Sequence, residues 1–104
     1  FDAVRNTLVE MYRKIERSRL LTYRAAWRAD TGKPVTKASS LAKLDASETA
    51  REVAEDSVQV HGGAGYVSDF PAQRFYRDAK LMEIGEGTSE IQYLILGREL
   101  GIPS

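Results

Sequence analysis

Apolar and small side chains recur at helical spacing through the first part of the chain. From about Asp2 to Asp30 they fall three or four positions apart, as on one face of an amphipathic helix. The members of this stripe are Val4, Leu8, Met11, Ile15, Ser18, Thr22, Ala25 and Ala29. Gly32 and Pro34 stand just past its end and stop the helix. A helix of roughly 27 residues is about 40 Å long, whereas a compact globule of this chain length is about 34 Å across. The pattern therefore predicts an elongated bundle.

A second long helix is predicted from about Thr36, as its N-cap, to His61. Its stripe is again rich in small residues, namely Ala46, Ala50, Val53, Ala54, Ser57, Val60 and His61. Five acidic residues accompany Arg51 between Asp45 and Asp56, while residues 1–28 carry seven basic and three acidic residues. This asymmetry fits two adjacent antiparallel helices with complementary surfaces. It fits two solvated faces equally well, and solvated faces are the commoner cause of such charge patterns.

A glycine-rich break follows the second helix. Three of the four residues at 62–65 are glycine, which would be costly inside a helix, so this stretch is predicted to be a loop. Pro71 suits the first turn of a short third helix. One side of that helix would carry Ala72, Phe75, Ala79 and Met82.

A second break, with Gly85 and Gly87, precedes a fourth helix. Ser89 as N-cap and Gln92 three residues later form a capping box. The fourth helix carries Ile91, Leu94, Ile95 and Leu100 before Gly101 and Pro103. No strand pattern occurs in the sequence. The predicted class is all-α, an up-down bundle of two long antiparallel helices and two shorter ones.

Composition excludes several kinds of function. Fifteen basic and fifteen acidic residues balance to a net charge of zero, which lacks the positive surface of a nucleic-acid binder. The absence of cysteine excludes disulfides and thiolate sites, and a single histidine excludes a site with two imidazoles. No apolar run approaches the ~20 residues that span a bilayer. Because the chain begins at Phe1 already within a helical pattern, it suggests part of a longer protein.

The first candidate site is the segment from Gln59 to Tyr66, where glycines at a helix end let a ligand approach the backbone. It follows a helix, not a strand, so it is neither a Rossmann fingerprint nor a P-loop. An ordinary helix C-cap and turn is the simpler interpretation. The lone His61 is interpreted as a satisfied core or interface histidine in preference to a catalytic one.

The second candidate site is Glu86, which stands between Gly85 and Gly87. A carboxylate with such small neighbours could be a mobile general base that points into a cleft. It could also be a solvated loop residue, with Thr88 and Ser89 serving only as helix caps. The residue types alone leave both interpretations open.

Four blocks, at residues 19–27, 59–66, 77–80 and 86–92, together resemble the C-terminal helical domain of the acyl-CoA dehydrogenase family of flavoproteins. They carry Arg-Ala-Ala-Trp, Gln-Val-His-Gly-Gly-Ala-Gly-Tyr, Arg-Asp-Ala-Lys and Glu-Gly-Thr-Ser-Glu-Ile-Gln. The resemblance covers essentially residues 1–104 as one domain. It implies that the first helix of this domain, and the helical and β-domains that precede it in the family, lie outside the chain.

The resemblance also implies roles for single residues. Glu86 would be the catalytic base that removes the α-proton of an acyl-CoA thioester, and Gly87 would contact the substrate. FAD would be contacted by Gln59, Val60, His61, Gly62, Gly63, Thr88, Ser89 and Glu90. Residues 59–63 would reach the adenine nucleotide of an FAD held by a neighbouring subunit. Asp2 and Glu90 stand where glutamine is common in the family, so a contact from Asp2 and a side-chain contact from Glu90 are not carried over.

The implied parent protein is an FAD-dependent oxidoreductase of fatty acid metabolism that makes trans-2-enoyl-CoA and passes electrons to an electron-transferring flavoprotein. It would be a homo-oligomer, a tetramer or dimer, in a prokaryotic cytoplasm or the mitochondrial matrix, and the isolated chain would be inactive. No metal, nucleic acid or membrane span is expected. Two alternatives remain: a noncatalytic oligomerisation module, and a flavoprotein resembling the acyl-CoA oxidases.

Overall fold

The computed structural model describes residues 2–62 and 89–103, and these two ranges form three α-helices. Helix α1 is Asp2–Asp30, α2 is Thr36–Val60 and α3 is Ser89–Glu99. No strand occurs in these two ranges. The all-α class is confirmed, and both long helices have the predicted bounds to within one residue. The short helix predicted from Pro71 lies outside the described residues.

The two long helices lie side by side and antiparallel. Lys14 of α1 pairs with Glu52 and Asp56 of α2, whereas Arg17, further along α1, pairs with Asp45, further back along α2. Helix α1 alone has 29 residues. The chain measures 46 × 26 × 25 Å and has a radius of gyration of 16.0 Å. The predicted elongated shape is therefore confirmed.

Helix α2 is the central helix of the described part, because both α1 and α3 pack against it. The polar residues that meet α1, such as Asp45 and Thr49, occupy one side of α2. Ser40 is nine positions from Thr49, which places it on the opposite side of a helix with 3.6 residues per turn. The buried apolar residues of the described chain all lie on α2; they are Ala38, Ala42, Leu44, Ala54 and Val58.

The face of α1 that meets α2 keeps Met11, Ser18 and Ala25 of the predicted stripe and differs from it at the other positions. Val4, Leu8 and Ile15 are exposed, with 38 to 49% of their surface accessible. The half-buried positions of α1 include Thr7, Met11, Lys14, Ser18, Leu21 and Ala25. The helix is rotated from the predicted orientation because its basic residues pair with the acidic residues of α2. The predicted charge complementarity between the helices is confirmed for Lys14 and Arg17, which pair with carboxylates of α2. Solvated faces were the wrong explanation for these charges.

Other charged residues of α1 pair within the helix. Arg13 donates to Glu10 Oε2 at 2.6 Å, and Arg19 donates to Glu16 Oε1 at 2.7 Å. The hydrogen bond from Arg13 lowers the pKa of the Glu10 carboxyl below its ordinary value. A lowered pKa in the folded state means that the pair stabilises the fold at neutral pH and loses this effect as the pH falls through that pKa. Both carboxylates are water-accessible, so the effect on stability is small.

Gly32 ends α1 in a Schellman motif. The Lys33 N–H donates to Arg28 O at 2.9 Å, and the Gly32 N–H donates to Ala29 O at 3.2 Å. Gly32 takes a φ of +71°, the left-handed region in which a Cβ is strained. The Lys33 ammonium then lies 5.0 Å from the centre of the Trp27 ring. The predicted stop after Asp30 is confirmed, and glycine is needed there for its conformation.

We expect Gly32→Ala to lower the free energy of unfolding by about 1–2 kcal/mol, the cost of a left-handed non-glycine residue. Gly97, inside α3, is the matched control because its φ is not positive, and an added Cβ would meet no atom within 4 Å at either glycine. Gly97→Ala is expected to raise the free energy of unfolding by up to about 1 kcal/mol through helix propensity. Urea unfolding measures both. Equal effects of the two substitutions would contradict the conformational role of Gly32.

The helix N-termini differ from the sequence prediction by one residue. Val35 is the N-cap of α2, in a right-handed helical conformation and without a side-chain cap bond. Because Val35 already winds helically, Thr36 lies inside the first turn, and its prediction as N-cap was wrong. The Ser39 N–H closes this turn on Val35 O at 2.8 Å. Within the described residues α3 begins at Ser89, which is helical, whereas the predicted capping box placed Ser89 one position before the helix.

Large apolar side chains remain exposed on α1. They are Val4, Leu8, Val9, Tyr12, Ile15, Leu20, Tyr23 and Trp27. Exposed apolar patches of this kind mark interfaces in folded proteins. We expect the chain to self-associate at micromolar concentration, which sedimentation measures, and Leu20→Glu together with Tyr23→Glu to weaken the association. A monomer with full helix content and cooperative melting would contradict this expectation.

Candidate functional site

The predicted cofactor contacts of α2 lie at its carboxyl end. Gln59 and Val60 are its last two residues, His61 is the C-cap and Gly62 follows with a φ of +62°. Gln59, His61 and Gly62 are exposed, and Val60 is half-buried. The structure therefore brings four of the predicted FAD contacts together at one accessible end of the bundle.

His61 folds back onto its own helix. Its backbone N–H donates to Ser57 O at 3.2 Å, and ring Nδ1 lies 2.8 Å from the same oxygen. A carbonyl oxygen only accepts hydrogen bonds, so Nδ1 carries the proton in this contact and Nε2 of the neutral ring is an acceptor. Of the two predicted places for His61, the core is wrong, since the residue is exposed at the helix end where Gly62 redirects the backbone; a place in an interface stays a prediction.

The end of α2 is chemically suited to a ligand that donates hydrogen bonds. The carboxyl end of a helix carries the negative end of its dipole, and of the last carbonyl groups of α2, Ser57 O already accepts from His61. An added Cβ at Gly62 would meet no atom within 4 Å, so the backbone there is open to close approach. Amino and hydroxyl groups, as on adenine and ribose, match these acceptors better than phosphate does.

The first turns of α1 stand at the same end of the bundle. Ala3, Val4 and Thr7 line a cavity of about 200 Å³ together with Gln59 and Val60. These three residues of α1 were not predicted to be neighbours of the segment from Gln59. The signal was available, because antiparallel pairing places the start of one long helix beside the end of the other.

The Asp2 side chain is 87% exposed and its carboxylate lies 3.5 Å from Arg5 on the same helix. This weak exposed pair leaves the carboxylate in water, where it holds no fixed position for a ligand. A contact from Asp2 was not carried over from the family pattern, and its surroundings give no reason to add one.

Of the remaining predicted site residues, the structure describes two, Ser89 and Glu90, at the start of α3. Ser89 is half-buried and Glu90 is exposed in the first turn of this helix. The first N–H groups of a helix are free donors that suit an anionic group. Gly63, Glu86, Gly87 and Thr88 lie outside the described residues, so the catalytic and substrate assignments stay predictions.

Two features are absent from the described ranges. Within residues 2–62 and 89–103, no three histidine, aspartate or glutamate side chains cluster in a way that could hold a metal ion. None of the three helices has an apolar stretch long enough to cross a bilayer.

A larger cavity of about 350 Å³ lies along the second half of α3. It is lined by Tyr93, Leu94, Gly97, Arg98, Ile102 and Pro103. This cavity was not predicted, since its lining residues follow an ordinary helical spacing in the sequence. It contains none of the predicted site residues.

Comparison with known proteins shows the family. The family model described as "Acyl-CoA dehydrogenase, C-terminal domain" matches residues 1–101. The short-chain specific acyl-CoA dehydrogenase of rat mitochondria (Rattus norvegicus) is 50% identical over 93 residues, which cover 89% of this chain and 23% of that protein. The chain spans about a quarter of the length of the curated relatives it matches.

Solved structures agree with the fold. Butyryl-CoA dehydrogenase from Megasphaera elsdenii superposes with a TM-score of 0.91 at 40% identity, over 96% of this chain and 26% of that one. An FAD complex of PigA gives a TM-score of 0.93 at 32% identity, over 98% of this chain and 27% of that one. Since the family model covers nearly every residue, the chain belongs to the acyl-CoA dehydrogenase family, of which it carries the C-terminal domain.

Proposed function

We propose that this chain is the C-terminal part of an FAD-dependent enzyme that converts acyl-CoA thioesters to trans-2-enoyl-CoA. The observation that carries the proposal is the family match over residues 1–101, with the block from Glu86 to Gln92 intact inside it. A relative half identical to this chain is named as a short-chain specific acyl-CoA dehydrogenase. The activity belongs to the full-length protein, since the chain spans only about a quarter of its relatives.

Glu86 is the residue to which we assign the chemistry. An α-proton beside a thioester is weakly acidic, so its removal requires a base held within reach of the carbon. A carboxylate can accept this proton, and the glycine on either side of Glu86 lets the backbone approach the substrate closely. Gly87 is assigned to the substrate side of the same contact.

The described residues fit the group that this reaction requires. The exposed end of α2, from Gln59 through Gly62, carries the negative end of the helix dipole and offers His61 Nε2 as an acceptor for adenine or ribose, and Gly63 extends it. The first turn of α3, with Ser89 and Glu90 and preceded by Thr88, offers free N–H groups for an anionic group. FAD bound there would supply the acceptor for the β-hydrogen, which leaves as hydride.

The partners follow from the same proposal. Acyl-CoA is the substrate, and an electron-transferring flavoprotein takes the electrons onward. The exposed apolar residues of α1 support a homo-oligomer, a tetramer or a dimer, in which the end of α2 reaches the FAD of a neighbouring subunit. Bacterial and mitochondrial relatives support a prokaryotic cytoplasm or a mitochondrial matrix as the location.

Steady-state turnover of the full-length protein tests the proposal. We expect trans-2-enoyl-CoA to form with an electron-transferring flavoprotein as acceptor and much more slowly with oxygen. Faster turnover with oxygen than with the flavoprotein would favour the oxidase alternative. Absence of turnover with straight and branched acyl-CoA thioesters of every chain length, in a well-folded oligomer, would favour the noncatalytic module.

A further inference from the structure

Asp45 holds a central place between the two long helices. Its Oδ1 accepts from Arg17 Nε at 2.8 Å. Its Oδ2 accepts from Ser18 Oγ at 2.5 Å and from Thr49 Oγ1 at 3.4 Å. The Asp45 side chain is only 17% exposed, and Thr49 is buried. One shielded carboxylate therefore engages donors from both helices.

Apolar packing between α1 and α2 gives little preference for one register. No described residue of α1 is buried. On α2, the buried residues nearest to this contact are small, such as Ala42 and Thr49. Small side chains form shallow ridges, so a slip of one helical turn would leave the fit between the helices nearly unchanged.

The pairing of Lys14 is tolerant of the same slip. Its ammonium lies 2.9 Å from Glu52 and 3.9 Å from Asp56. These two carboxylates are four residues apart on α2, which is about one turn. If α2 moved by one turn towards later residues of α1, Lys14 would still meet Asp56.

Asp45 does not tolerate that slip. Its partners Arg17 and Ser18 would be replaced by Leu21 and Thr22, four residues later on α1. A shielded carboxylate would then lose its arginine, which is strongly unfavourable. A slip of one turn in the other direction would place Glu10, in place of Lys14, opposite Glu52. Two carboxylates would then face each other. Polar residues at such positions are known to fix the register of paired helices.

The register of the two helices decides which residues of α1 lie beside Gln59 and Val60, two of the proposed cofactor contacts. Ala3, Val4 and Thr7 now line the cavity with Gln59 and Val60. A slip of one turn moves the helices by about 6 Å relative to each other and brings Met11 to the place of Thr7. We propose that Asp45 is a positioning residue: through Arg17 and Ser18 it fixes the register of α2 on α1, and with it the surface at the FAD-contacting end of α2. The last step of this proposal rests on the proposed function, and the register itself does not.

Disulfide cross-linking tests the register directly, because the chain has no cysteine of its own. Thr7→Cys with Val60→Cys reports the observed register, and Met11→Cys with Val60→Cys reports the slipped one. In the parent chain we expect the first pair to form at least about ten times more disulfide, the ratio that corresponds to ~1.4 kcal/mol between two states.

Three variants in this background, two of them double, separate the effect on register from an effect on stability. Arg17→Leu with Asp45→Leu removes the charges and keeps an apolar contact, so the two cysteine pairs should form in comparable yield while unfolding stays cooperative. Arg17→Asp with Asp45→Arg should restore the preference for the first pair. Lys14→Met, the matched control, should leave the preference intact because Lys14 tolerates the slip.

If the leucine pair fails to fold, Asp45→Asn gives the same test, since its amide cannot replace the charge pair with Arg17. A partial loss of the preference is expected for it. Retention of the parent ratio in either the leucine pair or Asp45→Asn would overturn the proposal, because apolar packing would then suffice to set the register.

The effect of the register on FAD binding is tested separately, by measuring the dissociation constant of FAD in the full-length protein. The leucine pair should weaken FAD binding about tenfold or more, the exchanged charges should restore it, and Lys14→Met should leave it unchanged. If the register is lost and FAD binding does not change, the assigned contact at the end of α2 is wrong. If cross-linking shows the register intact in the leucine pair, the role of Asp45 is wrong whatever FAD does.

Discussion

Glu86→Gln in the full-length protein is expected to lower kcat by about a hundredfold or more, the scale on which general-base catalysis contributes. The amide has nearly the same size and shape as the carboxylate, but it cannot accept the α-proton. Binding of FAD and of acyl-CoA should therefore persist while turnover is lost. Steady-state kinetics with a saturating electron acceptor measures kcat, and the flavin absorbance of the purified variant measures cofactor content.

The matched control is Glu99→Gln, at the exposed end of α3, where the same change of charge should leave kcat unaffected. Near-normal turnover in Glu86→Gln would place the base elsewhere. A parallel loss of FAD from the variant would mean that Glu86 acts on the cofactor site and not on the substrate.

Asp45→Ala is expected to lower the free energy of unfolding by about 2–3 kcal/mol. The substitution leaves the donors of Ser18 and Thr49 without their acceptor in a shielded place, and an unsatisfied buried group costs about 1–3 kcal/mol. Arg17 is 44% exposed, so water recovers part of what its guanidinium loses, and the cost stays below that of a fully buried pair.

Glu16→Ala is the control for that prediction. The Glu16 carboxylate also accepts from an arginine, Arg19, at 2.7 Å, but within one exposed helix face. Such pairs contribute about 0.3–0.5 kcal/mol, so the variant should unfold close to the parent in urea. Equal losses in the two variants would show that shielding between the helices is not what gives Asp45 its importance.

Much of the fold could be predicted from the sequence because local signals agree over long stretches. The 3.6-residue period of small and apolar residues, with Gly32 and Pro34 behind it, was sufficient to define α1 and its end. The packed face of α1 could be predicted only in part in this way, because the period of apolar residues carries no information on the charges of Lys14 and Arg17. Those side chains face α2 since Glu52 and Asp45 stand opposite, and the surplus of acidic residues at 45–56 was the sequence signal for it.

Less of the candidate site than of the fold could be predicted from the residues alone. Residues 59–62 were placed correctly at a helix end by the three glycines among residues 62–65. The orientation of His61 was not predictable, because it depends on the left-handed Gly62 and on a main-chain oxygen at Ser57. The roles of Glu86 and of its glycine neighbours come from the family resemblance and from the chemistry of a carboxylate. A lone glutamate between glycines has no partner in the sequence that would identify it as a base.

Single-turnover mixing tests the central claim most directly. The full-length protein with FAD bound would be mixed, without oxygen or any other acceptor, with a series of acyl-CoA thioesters, and the flavin absorbance and the thioester products would be measured together. We expect the flavin to be reduced by at least one member of the series, with one trans-2-enoyl-CoA formed per flavin. A flavin that stays oxidised with every thioester, in a protein that binds them, would contradict the assignment of this chain to an acyl-CoA-dehydrogenating enzyme.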